Sequence, residues 1–332
     1  MLRLFFAFLT LFYSSILFAN EASVQQFSGR TMGQEFHINW YVPNNVSVDN
    51  VKLKQSVRGT LNGLNGIFST WKDNSELSRF NQLKHTQPVS ISPQLSSVIS
   101  KAIELNEQTN GALDITVEPL IKLWGFGPHH SGAIPSQEEL QQVLQYTGVK
   151  HIQLEDDMLR KLEPRVQLDL SAIAKGYAVD RIGEVLERYG IHRYMVEIGG
   201  EIVTKGQPWQ IAVQQPAIFS TKSVLTLSLS GKAVATSGDY RQFYSDQHKQ
   251  RYSHIVDPRT GSAKVRDIAS VTVIADDCAT ADGFATALMV LGAKEALALA
   301  EAKKLPVLLI TPAGDDQFTL HQSSYLKPFI NN

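Results

Sequence analysis

The chain has 332 residues, of which 43% are hydrophobic and 19% are charged, and this is the composition of an ordinary globular protein. Its formal net charge is −1 and it has no long run of like charges, so composition argues against a nucleic-acid-binding protein. The length gives room for one large domain, or two intimate subdomains, with an extensive core.

The N-terminal segment differs in character from the rest of the chain. Arg3 precedes a mostly apolar run that ends at Ala19. This run is short for a membrane span and predicts a signal peptide over residues 1–19, with an uncleaved inner-membrane anchor as the alternative. The single cysteine, Cys278, lies far from the run, so the usual lipid-attachment cysteine is missing and an intrachain disulfide is excluded. We expect residues 20–332 to fold as a single domain.

The remaining chain mixes helical periodicity with short strand patterns. The polar character of residues 20–30 predicts a flexible lead. The polar stretch 68–81 predicts a loop or a short helix, in which Trp71 either covers a planar ligand or anchors the loop. Further helices are predicted over 51–67, from 95 to near 110, and over 137–146, 279–291 and 293–303. Strands are predicted over 31–41, 151–168 as a pair, 194–205 as a hairpin, 209–214, 224–229, 271–275 and 307–311. Adjacent strands mixed with packed helices indicate an α+β fold with mixed, largely antiparallel sheets.

One stretch, LDLSAIAKGYAVDRIG at residues 168–183, combines a predicted strand end with a helix start. Leu168 belongs to the strand end, Ser171 is placed to cap the helix, and Gly190 is placed to end it. Apolar residues recur at spacings of three and four, so one helix face packs against a core. Small residues, free backbone N–H groups and the cation Lys175 in the first turn together suit a phosphate group. The alternative is an ordinary turn with a solvent-exposed lysine.

Two further groups are candidates for chemistry. Asp282 and Thr286 are four residues apart on a predicted helix, so both project from one face. A carboxylate and a hydroxyl are hard oxygen ligands that suit Mg²⁺ better than zinc, although a helix cap or a solvent-facing pair is the alternative. His254 lies in a strand-to-turn motif beside Asp257 and Pro258, where a neutral imidazole is able to act as a base or to serve only the structure.

Taken in order, the motifs of this chain resemble the ApbE family of FAD:protein FMN transferases. They run across nearly the whole mature chain, so the set is far more specific than any single member. The matching motifs are Met32-Gly33, SELSRFN (75–81), GALDITVEPLIKLWGFGP (111–128), LDLSAIAKGYAVD (168–180), EIGGEI (197–202), SGDY (237–240), HIVDP (254–258) and DGFATALMVLG (282–292). The N-terminal lipid-attachment cysteine of many members is missing here, so a membrane tether is not implied.

The resemblance implies an ApbE/T-fold-like architecture and a periplasmic, Mg²⁺-dependent enzyme. Such an enzyme moves the FMN phosphoryl group of FAD to a Thr or Ser hydroxyl of a target protein, such as a subunit of an electron-transfer complex, and releases AMP. The residues that it places against FAD are Met32, Trp71, Ala112, Leu113, Asp114, Asp169, Lys175 and Ile255. It also implies that the backbone carbonyl of Ala172, together with Asp282 and Thr286, binds Mg²⁺ and that His254 is the base.

Two alternatives stay open at this point. Some members of the family use water as the acceptor and hydrolyse FAD to FMN and AMP. A non-catalytic periplasmic FAD-binding protein is the other alternative. The combination of His254 with Asp282 and Thr286 favours an enzyme, since a protein that only binds FAD has no need of a base and a metal.

Overall fold

The structure is a computed structural model that describes residues 24–42, 47–127, 134–216, 222–238, 243–245, 250–265, 267–314 and 317–331. The predicted signal peptide and residues 239–240 of the SGDY motif lie outside these ranges. Within the described ranges, no helix combines the length and the apolar character that crossing a membrane requires.

Helices and strands follow one another in a mixed order along the chain. The helices of the described ranges are α1 Asn50–Phe68, α2 Glu76–Gln82, α3 Pro93–Gln108, α4 Glu118–Leu123, α5 Gln137–Leu144, α6 Ala174–Arg188, α7 Cys278–Leu291 and α8 Ala293–Ala302. The strands are β1 Val24–Thr31, β2 Gln34–Tyr41, β3 Val89–Ser90, β4 Ile152–Glu155, β5 Met158–Lys161, β6 Tyr194–Ile198, β7 Glu201–Lys205, β8 Trp209–Gln214, β9 Ser223–Leu229, β10 Ala233–Gly238, β11 Phe243–Ser245, β12 Arg251–Ser253, β13 Ser270–Ala275, β14 Val307–Pro312 and β15 Phe318–Gln322.

An eight-stranded sheet in the order β1-β2-β6-β7-β10-β13-β14-β15 forms the centre of the molecule. Each neighbouring pair in it is antiparallel. Three smaller sheets, β3-β5-β4, β8-β9 and β11-β12, lie outside it. The predicted α+β fold with largely antiparallel sheets is therefore confirmed.

The central sheet is buried on both faces. Along β14, Val307 and Leu309 belong to the main core, which also contains the apolar faces of α1, α3, α6 and α7. Leu308 and Ile310, which alternate with them, belong to a second core formed with the β8-β9 hairpin. Alternate residues of a strand point to opposite faces, so one short strand serves both cores.

A third, smaller core joins α4 and α5 to the segment that carries His254. The indole Nε1 of Trp124 donates a 2.7 Å hydrogen bond to the carbonyl of Gly261, and its ring stacks on Tyr252 with centroids 5.0 Å apart. Val256 is buried in the same core. The turn that follows β12 is therefore packed against α4.

The first strand corrects one prediction. The sequence predicts a flexible lead over residues 20–30, but Val24–Thr31 is β1 and pairs with β2 along its whole length. Met32 and Gly33 form the connecting turn with φ values of 49° and 75°, as a two-residue hairpin requires. The lead is polar because an edge strand contributes only one of its faces to the core.

The stretch before α6 corrects two more predictions. Residues 166–170 form no strand, although Leu168 predicts a strand end. Ser171 does not cap α6, because both its N–H and its hydroxyl donate to the Asp169 carboxylate, at 2.8 and 3.1 Å. The predicted end of the helix is confirmed: Gly190 has a φ of 73° and its N–H donates to the carbonyl of Glu187 at 2.9 Å.

Candidate active site

A buried cluster of one ammonium and two carboxylates lies between α6, α7 and β7. The Lys175 Nζ lies 2.9 Å from Oε1 of Glu201 and 3.5 Å from Oδ1 of Asp282. Both acids are almost fully buried, at 2% exposure each. Glu201 begins β7 on the face that the helices cover, which is how a strand residue reaches the first turn of α6.

The cluster carries more negative than positive charge when both acids are ionised. Burial raises the pKa of Glu201 to about 8, despite the nearby ammonium, and burial also raises the pKa of Asp282. Burial disfavours the charge on Lys175, but the two carboxylates outweigh burial and raise the pKa of this lysine. Among the residues that the structure describes, the Oε2 atom of Glu201 is buried without a hydrogen-bond partner. An additional cation beside these groups would balance the excess charge.

Helices α6 and α7 position the cluster by capping each other. The N–H of Gly176, in the first turn of α6, donates to Oδ2 of Asp282 on α7 at 3.0 Å. In return Asp180 on α6 accepts from the N–H groups of Cys278 and Ala279, at 2.9 Å each, at the start of α7. Carboxylates at helix N-termini satisfy free N–H groups and oppose the positive end of the helix dipole. The two helix starts therefore fix each other.

Glycine is required where the two helices meet. A Cβ on Gly176 would lie 2.3 Å from the carbonyl oxygen of Cys278, which is too close for any contact between these atoms. The absence of a side chain lets the backbone of α6 approach α7 closely enough for Asp282 to accept its hydrogen bond. This approach also brings Lys175 into contact with Asp282.

The predicted metal ligands lie on the elements that meet at this cluster. Thr286 follows Asp282 by one turn of α7 and its hydroxyl is 3.2 Å from that of Ser237 on β10. Ala172 lies, half-buried, in the turn that leads into α6. In the described part of the chain, no three His, Cys, Asp or Glu residues come together as a metal site. Hard oxygen donors and an unbalanced buried carboxylate nevertheless fit Mg²⁺ better than a softer metal.

The backbone joins the two predicted FAD-binding loops. The N–H of Asp169 donates to the carbonyl of Ile115 at 2.8 Å, which ties the turn before α6 to the segment of residues 112–115. In that segment the Asp114 carboxylate accepts from the N–H and hydroxyl of Thr116, at 2.8 and 2.6 Å. Burial raises the pKa of both Asp114 and Asp169. Ala112 and Leu113 are both 2% exposed, so each presents little surface to a ligand.

Glu118, from the first turn of α4, adds a third buried acid to this region. Burial, and then the charge of Asp169, raise the pKa of Glu118 to about 7, although its carboxylate lies 3.1 Å from the ammonium of Lys122. Lys122 also donates to the side-chain oxygen of Gln167 at 2.8 Å. Helix α4, which was not predicted from the sequence, thus borders the Asp169 turn.

Four other predicted residues differ widely in their exposure. Trp71 is 70% exposed, and its indole makes no hydrogen bond or ring contact with any residue that the structure describes. Met32 and Ile255 are half-buried against the main core, and His254 is also half-buried. A small pocket beside Ile255 is lined by Met289 of α7 as well. The structure thus shows a direct contact between Lys175 and Asp282, and it places Thr286 one turn farther along α7.

Sequence reasoning missed Glu201, Gly176 and Asp180. Glu201 lies in the EIGGEI motif, and its position directly after a Gly-Gly turn was its only signal. Asp257, which lies beside His254 in the sequence, forms a paired contact with the Arg259 guanidinium, at 3.0 Å for each carboxylate oxygen. We expect this carboxylate also to hold the imidazole of His254 in position, since the two residues are three apart in one turn.

Comparison with known proteins identifies the family. The profile of the ApbE family matches residues 32–309. The FAD:protein FMN transferase of Vibrio cholerae is 43% identical over 310 residues, and that of Haemophilus influenzae is 39% identical over 319, each alignment covering 92% of both chains. The solved structure of the flavin transferase ApbE from Vibrio cholerae, 42% identical, has a TM-score of 0.83 and covers 93% of this chain and 99% of that one. The chain therefore belongs to the ApbE family.

Proposed function

We propose that this chain transfers the FMN phosphoryl group of FAD to a Thr or Ser hydroxyl of a target protein in a Mg²⁺-dependent reaction that releases AMP. Relatives that match nearly the whole chain are named FAD:protein FMN transferases, and this chain is an enzyme of the same kind. The observation that carries the finer proposal is the buried cluster of Lys175, Glu201 and Asp282 at the first turn of α6.

The proposed step exchanges the phosphoanhydride linkage of FAD for a phosphoester linkage to the acceptor. The oxygen of the acceptor hydroxyl attacks the phosphorus on the FMN side of the pyrophosphate, the bond from this phosphorus to the bridging oxygen breaks, and AMP leaves with that oxygen. His254 takes the proton of the hydroxyl, since a Thr or Ser hydroxyl ionises only far above neutral pH. Phosphoryl transfer of this kind depends mainly on positioning and on neutralising phosphate charge.

The residues of the chain divide these tasks. Lys175 would face the phosphates, because a cation at a helix N-terminus favours anions. The N–H groups of Ala174 and Gly176, which the sequence predicts to be free for a phosphate, already donate to Leu170 and Asp282. Asp282, Thr286 and the carbonyl of Ala172 would hold Mg²⁺, which when bound neutralises phosphate charge. Glu201 holds the ammonium of Lys175 at 2.9 Å and thereby fixes its direction. Trp71, exposed in the loop before α2, would stack on a ring of FAD.

A direct assay separates the proposal from its alternatives. The protein is incubated with FAD, Mg²⁺ and a flavin-free acceptor domain that bears the modifiable threonine. Flavin attached covalently to the acceptor, with AMP released, is the expected result. Free FMN with AMP would instead identify an FAD pyrophosphatase, and FAD that is bound but unchanged would identify a binding protein.

The role of His254 has its own test. Substitution His254→Ala should lower the single-turnover rate by about 10²–10⁴-fold, the usual contribution of a general base. FAD affinity and melting temperature should stay close to those of the unmodified protein, because the phosphate charge is still met by Lys175. A rate loss fully explained by weaker FAD binding would remove His254 from the chemistry.

Metal dependence is tested on Asp282. With excess chelator, transfer should stop, and added Mg²⁺ should restore it. Substitution Asp282→Asn keeps the acceptor for the Gly176 N–H but removes the charge, so the Mg²⁺ concentration for half-maximal rate should rise by at least about tenfold. Transfer that persists in chelator would overturn the metal role.

A periplasmic location is part of the same proposal. The support is the apolar run before Ala19, which has the length of a signal peptide. Mass spectrometry of the protein from cells should find a chain that begins near Asn20. A chain that still begins at Met1 and fractionates with membranes would support the anchor instead.

A further inference from the structure

Asn81, the last residue of the SELSRFN motif, has a role that the proposed function leaves unexplained. Its side chain is 6% exposed and reaches across to a segment 87 residues away along the chain. The Asn81 Nδ2 donates to the carbonyl of Leu168 at 2.8 Å, and the N–H of Leu168 donates to the Asn81 Oδ1 at 2.7 Å. One amide thus satisfies both backbone groups of one residue, as a neighbouring strand would.

In the described part of the chain, no strand pairs with the segment that Asn81 holds. Immediately after Leu168, the N–H of Asp169 donates to the carbonyl of Ile115, so the chain is fixed from two sides at consecutive residues. The carbonyl of Leu170 then accepts from the N–H groups of Ile173 and Ala174, at 3.0 and 2.8 Å. With the bonds from Ser171 to Asp169, these leave the turn little room to shift independently of Leu168.

Asn81 is itself held from behind by a buried lysine. The Lys161 ammonium donates to the carbonyls of Asn81 and Leu83 at 2.9 Å each, and to that of Pro164 at 3.4 Å. Lys161 is 1% exposed and lies 5.3 Å from the centre of the Phe80 ring. Carbonyls at the C-terminal end of α2 favour a cation. The lysine thus joins the end of α2 to the chain that leads into the Leu168 segment.

We propose that Asn81 is a positioning residue for the flavin and metal site, and that Lys161 supports it. The amide sets the position of Leu168 along the chain, and with it the places of Asp169, the Ala172 carbonyl and Lys175. This inference rests on the proposed function, since it assigns Asn81 to the turn that would face the phosphates of FAD. A misplacement of about 1 Å in a site for group transfer costs about 10²-fold in rate.

The matched control is a residue with the same kind of bonds far from this turn. The Ser323 hydroxyl donates to the carbonyl of Leu305 at 2.6 Å and accepts from the N–H of Val307 at 3.0 Å, at 1% exposure. Substitutions Asn81→Ala and Ser323→Ala each remove one side chain that satisfies a backbone donor and a backbone acceptor. Both should lower the melting temperature.

Only Asn81→Ala should change the site. Its FAD affinity, measured by quenching of flavin fluorescence, and its single-turnover rate at saturating FAD and Mg²⁺ should together fall by about 10–100-fold, while Ser323→Ala changes each less than about twofold. Equal effects of the two substitutions would overturn the inference and leave Asn81 a purely structural residue. If the unmodified protein binds FAD without transferring FMN, the proposed function fails, but the comparison of FAD affinities still tests Asn81.

A second variant guards against misfolding of the first. Asn81→Asp keeps the shape, but its ionised carboxyl sets an oxygen against the Leu168 carbonyl. When protonated, the same carboxyl donates to that carbonyl and still accepts from the Leu168 N–H. The FAD affinity of this variant, divided by that of the unmodified protein at each pH, should therefore rise as the pH falls. A ratio that stays constant with pH would contradict the inference.

Discussion

Glu201 keeps one buried carboxylate oxygen that accepts no hydrogen bond from any described residue, and this makes its charge state important for stability. The ordinary pKa of 4.5 applies in the unfolded chain, whereas burial raises the pKa to about 8 in the folded protein. A folded state that holds the proton more tightly is stabilised below about pH 4.5, and this stabilisation is lost as the pH rises through about 8. The metal-free protein therefore becomes less stable between these values.

Glu201→Gln removes this pH dependence. In chelator, the free energy of unfolding of the unmodified protein should fall with pH, with a slope of at most about 1.4 kcal/mol per pH unit from this one group. The variant should show a flatter profile, and Mg²⁺ should flatten the profile of the unmodified protein. Urea unfolding at a series of pH values measures both.

The control is Glu184→Gln. The Glu184 side chain on α6 is 43% exposed, so this substitution tests the loss of charge alone. Parallel profiles for the unmodified protein and Glu201→Gln would refute this account.

At the scale of elements, the crossing of α6 and α7 is the most constrained contact in the site. Gly176→Ala places a methyl group against the backbone of Cys278, which has no rotamer with which to move away. The substitution should cost about 1–3 kcal/mol or more in free energy of unfolding, and it should raise the Mg²⁺ concentration that activity needs. Denaturant unfolding and a Mg²⁺ titration measure the two effects.

The control for Gly176 is a glycine in open space. A Cβ on Gly63, in the exposed face of α1, would meet nothing within 4 Å. Gly63→Ala should therefore stabilise the protein by up to about 1 kcal/mol, because alanine favours a helix. Opposite signs for the two substitutions are expected. A Gly176→Ala variant as stable as the unmodified protein would show that α6 and α7 are able to separate without loss.

Helices and strands could be predicted from the periodicity of their apolar residues where one element packs on one core. The pattern of α1, with its buried Leu53, Val57, Leu61 and Leu64, is such a case. The polar strand β1 could not be predicted, because an edge strand has few apolar residues. The apolar residues of the Leu168 segment predict a strand end, but the partner of Leu168 is a side-chain amide from 87 residues away. Contacts at this distance along the chain leave no local pattern.

The residues of the candidate site likewise divide into those that a local pattern predicts and those that it does not. Asp282 and Thr286 could be paired from their spacing, since a helix fixes which residues share a face. Lys175 could be placed at a helix start for the same reason. Glu201 could not be joined to them, because its contact with Lys175 depends on how β7 lies beneath α6. Motif resemblance supplied the remaining flavin residues, and no local physical signal replaces it.

At the scale of the whole molecule, the central sheet separates the site from a second core. Leu326, near the C-terminus, is fully buried in that core, on the face of the sheet opposite α6 and α7. Leu326→Ala should lower the free energy of unfolding by about 2–5 kcal/mol, the usual cost of such a cavity. Its rate of FMN transfer below the unfolding transition should not change.

The matched substitution lies on the other face of the sheet. Leu288→Ala removes an equally buried leucine from α7, between Asp282 and the end of the helix. It should lower both stability and transfer rate, since α7 carries the predicted metal ligands. If Leu326→Ala slows transfer as much as Leu288→Ala at equal loss of stability, the two faces of the sheet are not independent.

The single thiol of the chain lies at the start of α7, fully buried. Burial, and then the charge of Asp180, hold the pKa of Cys278 well above its usual range, so it presents little of the thiolate that reacts with maleimides. The native sequence is therefore already suited to site-specific dye attachment. A cysteine introduced at an exposed position such as Val51, on α1, would be the one reactive group, and a fluorophore there would report energy transfer to a bound flavin without any prior removal of native cysteines.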